Sequence, residues 1–215
     1  MSERAQIKKD IVLFDIDGVI ADYPGTIKRM IERKIIPRLS GKKNKFKELS
    51  IHELDNLYDF ILKMPGGKQV ADYFYRRRKP NKPMIDLMTE LKSHYYQIFL
   101  ITAFSNKKLA GEWLREHKIE YDELFTRQKG KKNIEYKIEM IRELCPRFFI
   151  DNSREVIDAL SLEIPEVQGI HFSALEKRKI KPEEVIKEIE AIRDIIIEPL
   201  KETREMFIET KQKNL

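Results

Sequence analysis

Apolar residues along this chain fall into two alternating patterns. Short continuous runs at 11–14 (IVLF), 97–101 (QIFLI), 147–150 (RFFI) and 167–172 (VQGIHF) are rich in β-branched and aromatic residues. Strands covered on both faces read this way. Between the runs the period is helical. "KPMIDLMTELKSHY" places Met84, Leu87, Met88 and Leu91 on one face, and "NKKLAGEWLREHKI" does so with Leu109, Trp113 and Leu114. "NIEYKIEMIREL" repeats the pattern with Ile134, Ile138, Ile141 and Leu144, and a further helix follows "NSREVIDAL". Strands alternating with helices predict βαβ units, hence an α/β fold: a Rossmann-like, three-layer parallel sheet.

Two segments break the alternation. Residues 24–80 carry only helical patterns with punctuation at Gly41 and "PGG", and read as a small helical cap inserted after the first strand. The C-terminal "PEEVIKEIEAIRDIIIEPLKETREMFIETK" reads as one long helix, or two broken near Pro199. Its stripe of Val185, Ile189, Ile192 and Ile196 is suited to packing on the core, with homo-oligomer formation through the same helix as the alternative. The expected division is a core of 1–23 and 81–180, a cap of 24–80 and a C-terminal helical extension of 181–215.

Composition narrows the class. The 215 residues include 42 Lys and Arg against 36 Asp and Glu, a net charge of +6. That balance suits an anionic ligand, although a charged, solvated surface explains most of it. A single cysteine, Cys145, excludes an internal disulfide, and with no histidine nearby it reads as a packed thiol rather than a nucleophile. The start, "MSERAQIKKD", has no apolar stretch after its charges, and no apolar run approaches the ~20 residues of a membrane helix. The expectation is a cytoplasmic protein with no membrane partner.

The chemistry begins in "IVLFDIDGVIAD", where an apolar strand runs into Asp15, Ile16, Asp17 and Gly18. Strands disfavour both acids and glycine. Two acids separated by one residue would face opposite sides of a continuing strand. A turn at Gly18 lets both carboxylates and a main-chain carbonyl converge, which is the oxygen-rich environment Mg²⁺ prefers.

"DIDGVIAD" resembles motif I (D-x-D-G-[VT]) of the haloacid-dehalogenase-like (HAD) phosphatase superfamily, and the later motifs of that family have counterparts in order. "QIFLITAFSN" offers Thr102 as the hydroxyl of motif II, "NIEYKIEMI" offers Lys137 as motif III with Lys131 and Lys132 as rivals, and "RFFIDNSREVID" offers Asp151 as motif IV. The resemblance spans roughly residues 10–172. It implies that Asp15 attacks phosphorus to form an aspartyl-phosphate, and that Asp17 protonates the leaving group and then activates water. It also implies that Thr102 and the Ala103 amide hold the phosphate, that Lys137 neutralises charge, and that Mg²⁺ is bound by Asp15, Asp151 and the Asp17 carbonyl. One position departs from nucleotidase-type relatives, which often carry two adjacent acids in motif IV where this chain has Asp151-Asn152. Glu155 could supply the second carboxylate, or Asn152 or Ser153 could simply cap the following helix.

Two branches look closest. Cytosolic 5′(3′)-deoxyribonucleotidases share the opening motif, a helical cap and "T-[AS]" before a Trp-bearing helix. Polynucleotide 3′-phosphatases share the spacing but have little or no cap. A cap favours a small phosphorylated substrate, such as a nucleotide, while the basic stretches "GKKNKFK" and "YRRRKPNK" keep nucleic-acid ends open as partners. Tyr23, Phe74 and Tyr75 are candidates to stack on a base, or else the cap's own core. Retention of both motif I acids argues against a non-catalytic binding module. The full set of Thr102, Lys137 and Asp151 argues against a D-x-D glycosyltransferase.

Overall fold

The computed structural model describes residues 10–22, 66–128, 131–175 and 181–213. The basic stretch 41–47, Tyr23 and the side chain of Phe74 lie outside the described residues, as does the insert up to residue 65. Five parallel strands form one sheet: β1 (Ile11–Asp15), β2 (Gln97–Thr102), β3 (Glu123–Thr126), β4 (Phe148–Asp151) and β5 (Gln168–His171). Their spatial order is β3-β2-β1-β4-β5. The helices among the described residues are α1 (Gly67–Arg76), α2 (Lys82–Ser93), α3 (Lys107–Glu116), α4 (Asn133–Leu144), α5 (Arg154–Glu163) and α6 (Pro182–Lys213). This is the Rossmann-like α/β architecture that the alternation predicts.

The continuous apolar runs serve two cores at once, because alternate residues of a strand face opposite sides. Val12, Phe14, Ile98, Leu100 and Ile150 pack with α2, α3 and α6. Leu13, Phe99, Ile101 and Phe149 pack with α4 and α5 on the other face. α6 runs unbroken across Pro199. Its stripe of Val185, Ile189, Ile192 and Ile196 is buried within the chain's own core. Arg193 Nε and one terminal amine hold the Glu90 carboxylate of α2 at 2.6–3.0 Å. No described helix is long and apolar enough to cross a membrane.

Two features differ from the sequence reading. β3 was not among the expected strands: it has only two apolar residues, Leu124 and Phe125, and pairs on one side with β2 alone. A four-residue edge strand with one buried position leaves almost no periodic signal. Cys145 is exposed rather than packed. It ends α4 in the left-handed region (φ 44°), and its N–H closes the helix on the Ile141 carbonyl at 2.9 Å, which turns the thiol outward.

Strand order reverses at β1. The chain proceeds outward through β2 and β3, then returns to place β4 on the other flank of β1. Ligand sites in open α/β sheets lie beyond the strand C-termini at such a switch. Asp15 and Asp151 are the last residues of β1 and β4.

Candidate active site

Strand alternation decides which side of the sheet each acid serves. Asp15 follows Leu13 by two residues and Asp151 follows Phe149 by two, so both carboxylates share the α4/α5 side. Lys137 stands on α4 in the stripe Ile134, Ile138 and Ile141, one turn from each end of it, and is therefore carried inward with them. Its Nζ lies 2.9 Å from Asp15 Oδ1 and 2.7 Å from Asp151 Oδ2. All three side chains are buried. Lys132 instead pairs with Glu135 at 3.3 Å and Lys131 pairs with Glu139, both at the surface. Among the three lysines of motif III, Lys137 alone reaches the strand ends.

The other half of the site lies toward α1 and α3. Gly18 turns the chain with φ +91°, and its N–H bonds the Ala21 carbonyl at 2.8 Å. A Cβ there would stand 2.5 Å from Asn152 Nδ2, so only glycine lets the motif I turn and the end of β4 meet. The Asp17 carboxylate meets partners different from those of Asp15. Thr102 Oγ1 donates to Asp17 Oδ2 at 2.6 Å and accepts from the Phe104 N–H at 3.0 Å. Arg78 pairs with Asp17 Oδ1. Ala103 is held from behind by Arg127, whose Nε donates to the Ala103 carbonyl at 2.9 Å while a terminal amine donates to the Lys131 carbonyl at 2.8 Å.

At the motif IV end, Asp151 Oδ1 accepts the Ser153 N–H at 2.8 Å, and His171 Nε2 lies 2.9 Å from the Asn152 carbonyl. Ser153 begins α5 without a side-chain capping bond. Asn152 is buried against Gly18, while Glu155 is exposed in the first turn of α5.

Burial is the largest influence on both members of the central ion pair. It pushes the Asp15 carboxyl well above its ordinary value, with the nearby Asp151 and Asp17 charges adding to the rise and Lys137 opposing it. Burial alone would lower Lys137, yet Asp15 and Asp151 together overcome it and hold the ammonium firmly protonated. Among the described residues, three acids against Lys137 and Arg78 leave one more buried or half-buried anion than cations.

Asp15 Oδ1 is buried and within ion-pair distance of Lys137 but lies outside hydrogen-bond geometry. Among the described residues no three His, Cys, Asp or Glu side chains are grouped to hold a metal. Asp17 could nonetheless offer its main-chain carbonyl, since the turn's hydrogen bonds run to the Ile16 and Ala21 carbonyls. Two carboxylates, one with an unsatisfied oxygen, plus a carbonyl and an excess of anion fit a hard, oxygen-preferring cation.

The sequence reading missed Arg78, Arg127, Phe104 and His171. It also offered Tyr75 as either a base-stacking residue or part of the cap's own core. The structure buries Tyr75 in the core, with Phe104 stacked 4.0 Å from its ring centroid and the Arg78 guanidinium 3.4 Å from it. Both faces of the ring are occupied, so a base has none to stack on.

No protein-family profile matches the sequence, and no curated protein matches it. Solved structures share its fold. A phosphoserine phosphatase in its apo form aligns with a TM-score of 0.51 at 15% identity, covering 84% of this chain and 98% of its own. A dehalogenase captured with an intermediate aligns at 0.51 and 11% identity, covering 82% and 90%. A chain of the Pnkp1/Rnl/Hen1 complex aligns at 0.48 and 16% identity, covering 80% of this chain, which spans about half the length of that one (48%). At these identities the likeness is one of fold: the chain has the α/β architecture of HAD-type hydrolases.

Proposed function

We propose that this chain is a Mg²⁺-dependent phosphomonoesterase that works through an aspartyl-phosphate. The observation that carries the reading is the Lys137 ammonium between Asp15 and Asp151, 2.9 and 2.7 Å away, at the strand ends where the sheet order reverses. In this reading an Asp15 oxygen attacks phosphorus in line while the ester oxygen leaves, and Asp17 donates a proton to that oxygen. Asp17 then takes a proton from the water that cleaves the acyl-phosphate. Lys137 offsets the combined charge of nucleophile and phosphate, and the Thr102 hydroxyl and Ala103 amide orient the phosphate oxygens. Mg²⁺, held by Asp15, Asp151 and the Asp17 carbonyl, would supply further positive charge against carboxylate–phosphate repulsion.

The substrate class we favour is a small ester such as a (deoxy)nucleotide. The basic stretch "YRRRKPNK" is partly committed to pairs within the chain, Arg78 buried and Arg76 and Lys82 at the surface. Arg76 binds Glu112 and Glu116, Arg78 binds Asp17, and Lys82 binds Asp86. Charges used internally contribute little to binding a polymer backbone. The competing reading, phosphate removal from nucleic-acid 3′ ends, draws on exposed Arg77 and Lys79 in the same stretch.

The test is phosphate release, with Mg²⁺ or EDTA, from deoxyribonucleoside 5′- and 3′-monophosphates, a 3′-phosphorylated oligonucleotide and p-nitrophenyl phosphate, with Asp15→Asn as blank. Mg²⁺-dependent turnover of the mononucleotides is expected. Preference for the oligonucleotide would favour the nucleic-acid reading, and no release from any ester would sink the phosphatase reading.

A further inference from the structure

The run Tyr75-Arg76-Arg77-Arg78 returns the chain to the core just before α2, and its three arginines meet different fates. Arg76 is an exposed partner of α3, and Arg77 is exposed with its guanidinium over the Tyr73 ring. Arg78 is buried, with its side chain only 1% exposed. A guanidinium is seldom buried without a specific task, since its desolvation costs several kcal/mol unless partners compensate.

Its partners form a closed circuit. Arg78 pairs with Asp17 Oδ1, and Thr102 donates to Asp17 Oδ2. The Phe104 N–H donates back to Thr102, and the Phe104 ring stacks on Tyr75. The Tyr75 ring then lies under the Arg78 guanidinium, and the Tyr75 carbonyl accepts from Arg78 Nε at 3.1 Å. Trp113 seals the far side: its ring centroid is 4.7 Å from the guanidinium carbon, and its Nε1 donates to the Arg78 carbonyl at 3.3 Å. The backbone is pinned on both sides of the circuit as well. Asp22 N–H bonds the Lys79 carbonyl at 2.9 Å, and Asn81 N–H bonds the Ile20 carbonyl at 2.7 Å.

We propose that Arg78 is the positioning residue for Asp17, fixing the direction from which that carboxyl meets the ester oxygen. This rests on the phosphomonoesterase reading above and deepens it. Between Arg78 and Thr102 both Asp17 oxygens have assigned partners, so the carboxyl cannot rotate toward Lys137 and join the Asp15–Asp151 pair. A general acid must be aimed at the leaving oxygen, and its contribution depends on that aim. Arg78 acts through Asp17 and needs no contact with substrate.

The test separates aim from fold by leaving group. Protonation matters for an alkoxide, as in a deoxyribonucleoside monophosphate, and much less for p-nitrophenolate. Arg78→Lys keeps a charge but loses the planar fork that spans Asp17 and the Tyr75 carbonyl. It is expected to lower kcat/KM, which reports the steps through departure of the leaving group, on the order of 10- to 100-fold on the mononucleotide and about threefold or less on p-nitrophenyl phosphate, within the range of acid–base contributions. Tyr75→Leu, which removes the ring beneath the guanidinium, should show the same split more weakly, and it serves if Arg78→Lys does not fold. Fluorescence of Trp113, the only tryptophan, reports whether each variant is folded. Equal losses of kcat/KM on both esters overturn the positioning role. Wild-type protein inactive on both esters means instead that the phosphatase reading has failed.

Discussion

The two halves of the site use the same chemistry, a cation between carboxylates, in unlike surroundings. On the α4/α5 side Lys137 is sealed between Asp15 and Asp151, and none of the three side chains is more than 3% exposed. On the α1/α3 side Arg78 is as deeply buried, but its partner Asp17 is 16% exposed and reaches the rim. The first half therefore holds charge where water cannot compensate for a lost partner. The second holds a carboxyl that can still meet solvent or a leaving group. A nucleophile benefits from the first environment, and a residue that must exchange protons benefits from the second.

The sharpest way to break this comparison is to remove each cation in turn. Lys137→Met would leave two buried carboxylates side by side with no counter-charge. We expect a loss of about 3–5 kcal/mol in urea unfolding, the usual result of breaking a buried pair on one side. Arg78→Met should cost less, about 1–3 kcal/mol, because Asp17 can rehydrate. If the two losses are equal, or reversed, the halves do not differ in the way their exposure suggests.

Much of the first half was legible in the sequence. Asp15 and Asp151 each end an apolar run, and Lys137 interrupts a stripe of isoleucines at helical spacing. Each signal lies within one element. In the second half Asp17, Gly18 and Thr102 were legible in the same way, but Arg78 was not, because what distinguishes it from Arg76 and Arg77 is contact with Asp17 and Trp113, 61 and 35 residues away. Three consecutive arginines normally read as a solvated face. Between the two readings offered for Tyr75, base stacking or packing, the choice rests on Phe104, 29 residues further along the chain. The missed β3 is a different failure, since its edge position left a strand of four residues with a single buried side chain.

A smaller expected effect concerns the joint between the halves. Gly18 carries Asp17 on one side and abuts Asn152 on the other. Gly18→Ala would force a Cβ to within 2.5 Å of Asn152 Nδ2 at a φ of +91°. The expected destabilisation is about 1–3 kcal/mol, together with loss of phosphate release, as both halves are displaced. Gly66→Ala is the matched control: its φ is +72°, but nothing lies within 4 Å of the added carbon. It should cost only the backbone strain, about 1–2 kcal/mol, and leave turnover intact. Comparable unfolding losses for the two variants would mean that the contact with Asn152 contributes nothing.

The smallest effect tests the fourth motif itself. Asn152 is buried, lies next to Asp151 in the chain and packs against Gly18, in a site that already holds one more anion than cations. Asn152→Asp adds a further negative charge there, so the metal-free protein should lose about 1 kcal/mol through like-charge repulsion. The same charge raises the attraction for a divalent cation, and a ligand that binds only the folded state stabilises it in proportion to the logarithm of its affinity. Thermal melts in EDTA and in saturating Mg²⁺ should therefore lie further apart for Asn152→Asp than for the wild type. If the substitution lowers both melts equally, Asn152 acts through packing alone, and the cation depends on Asp15, Asp151 and the Asp17 carbonyl without help from its neighbour.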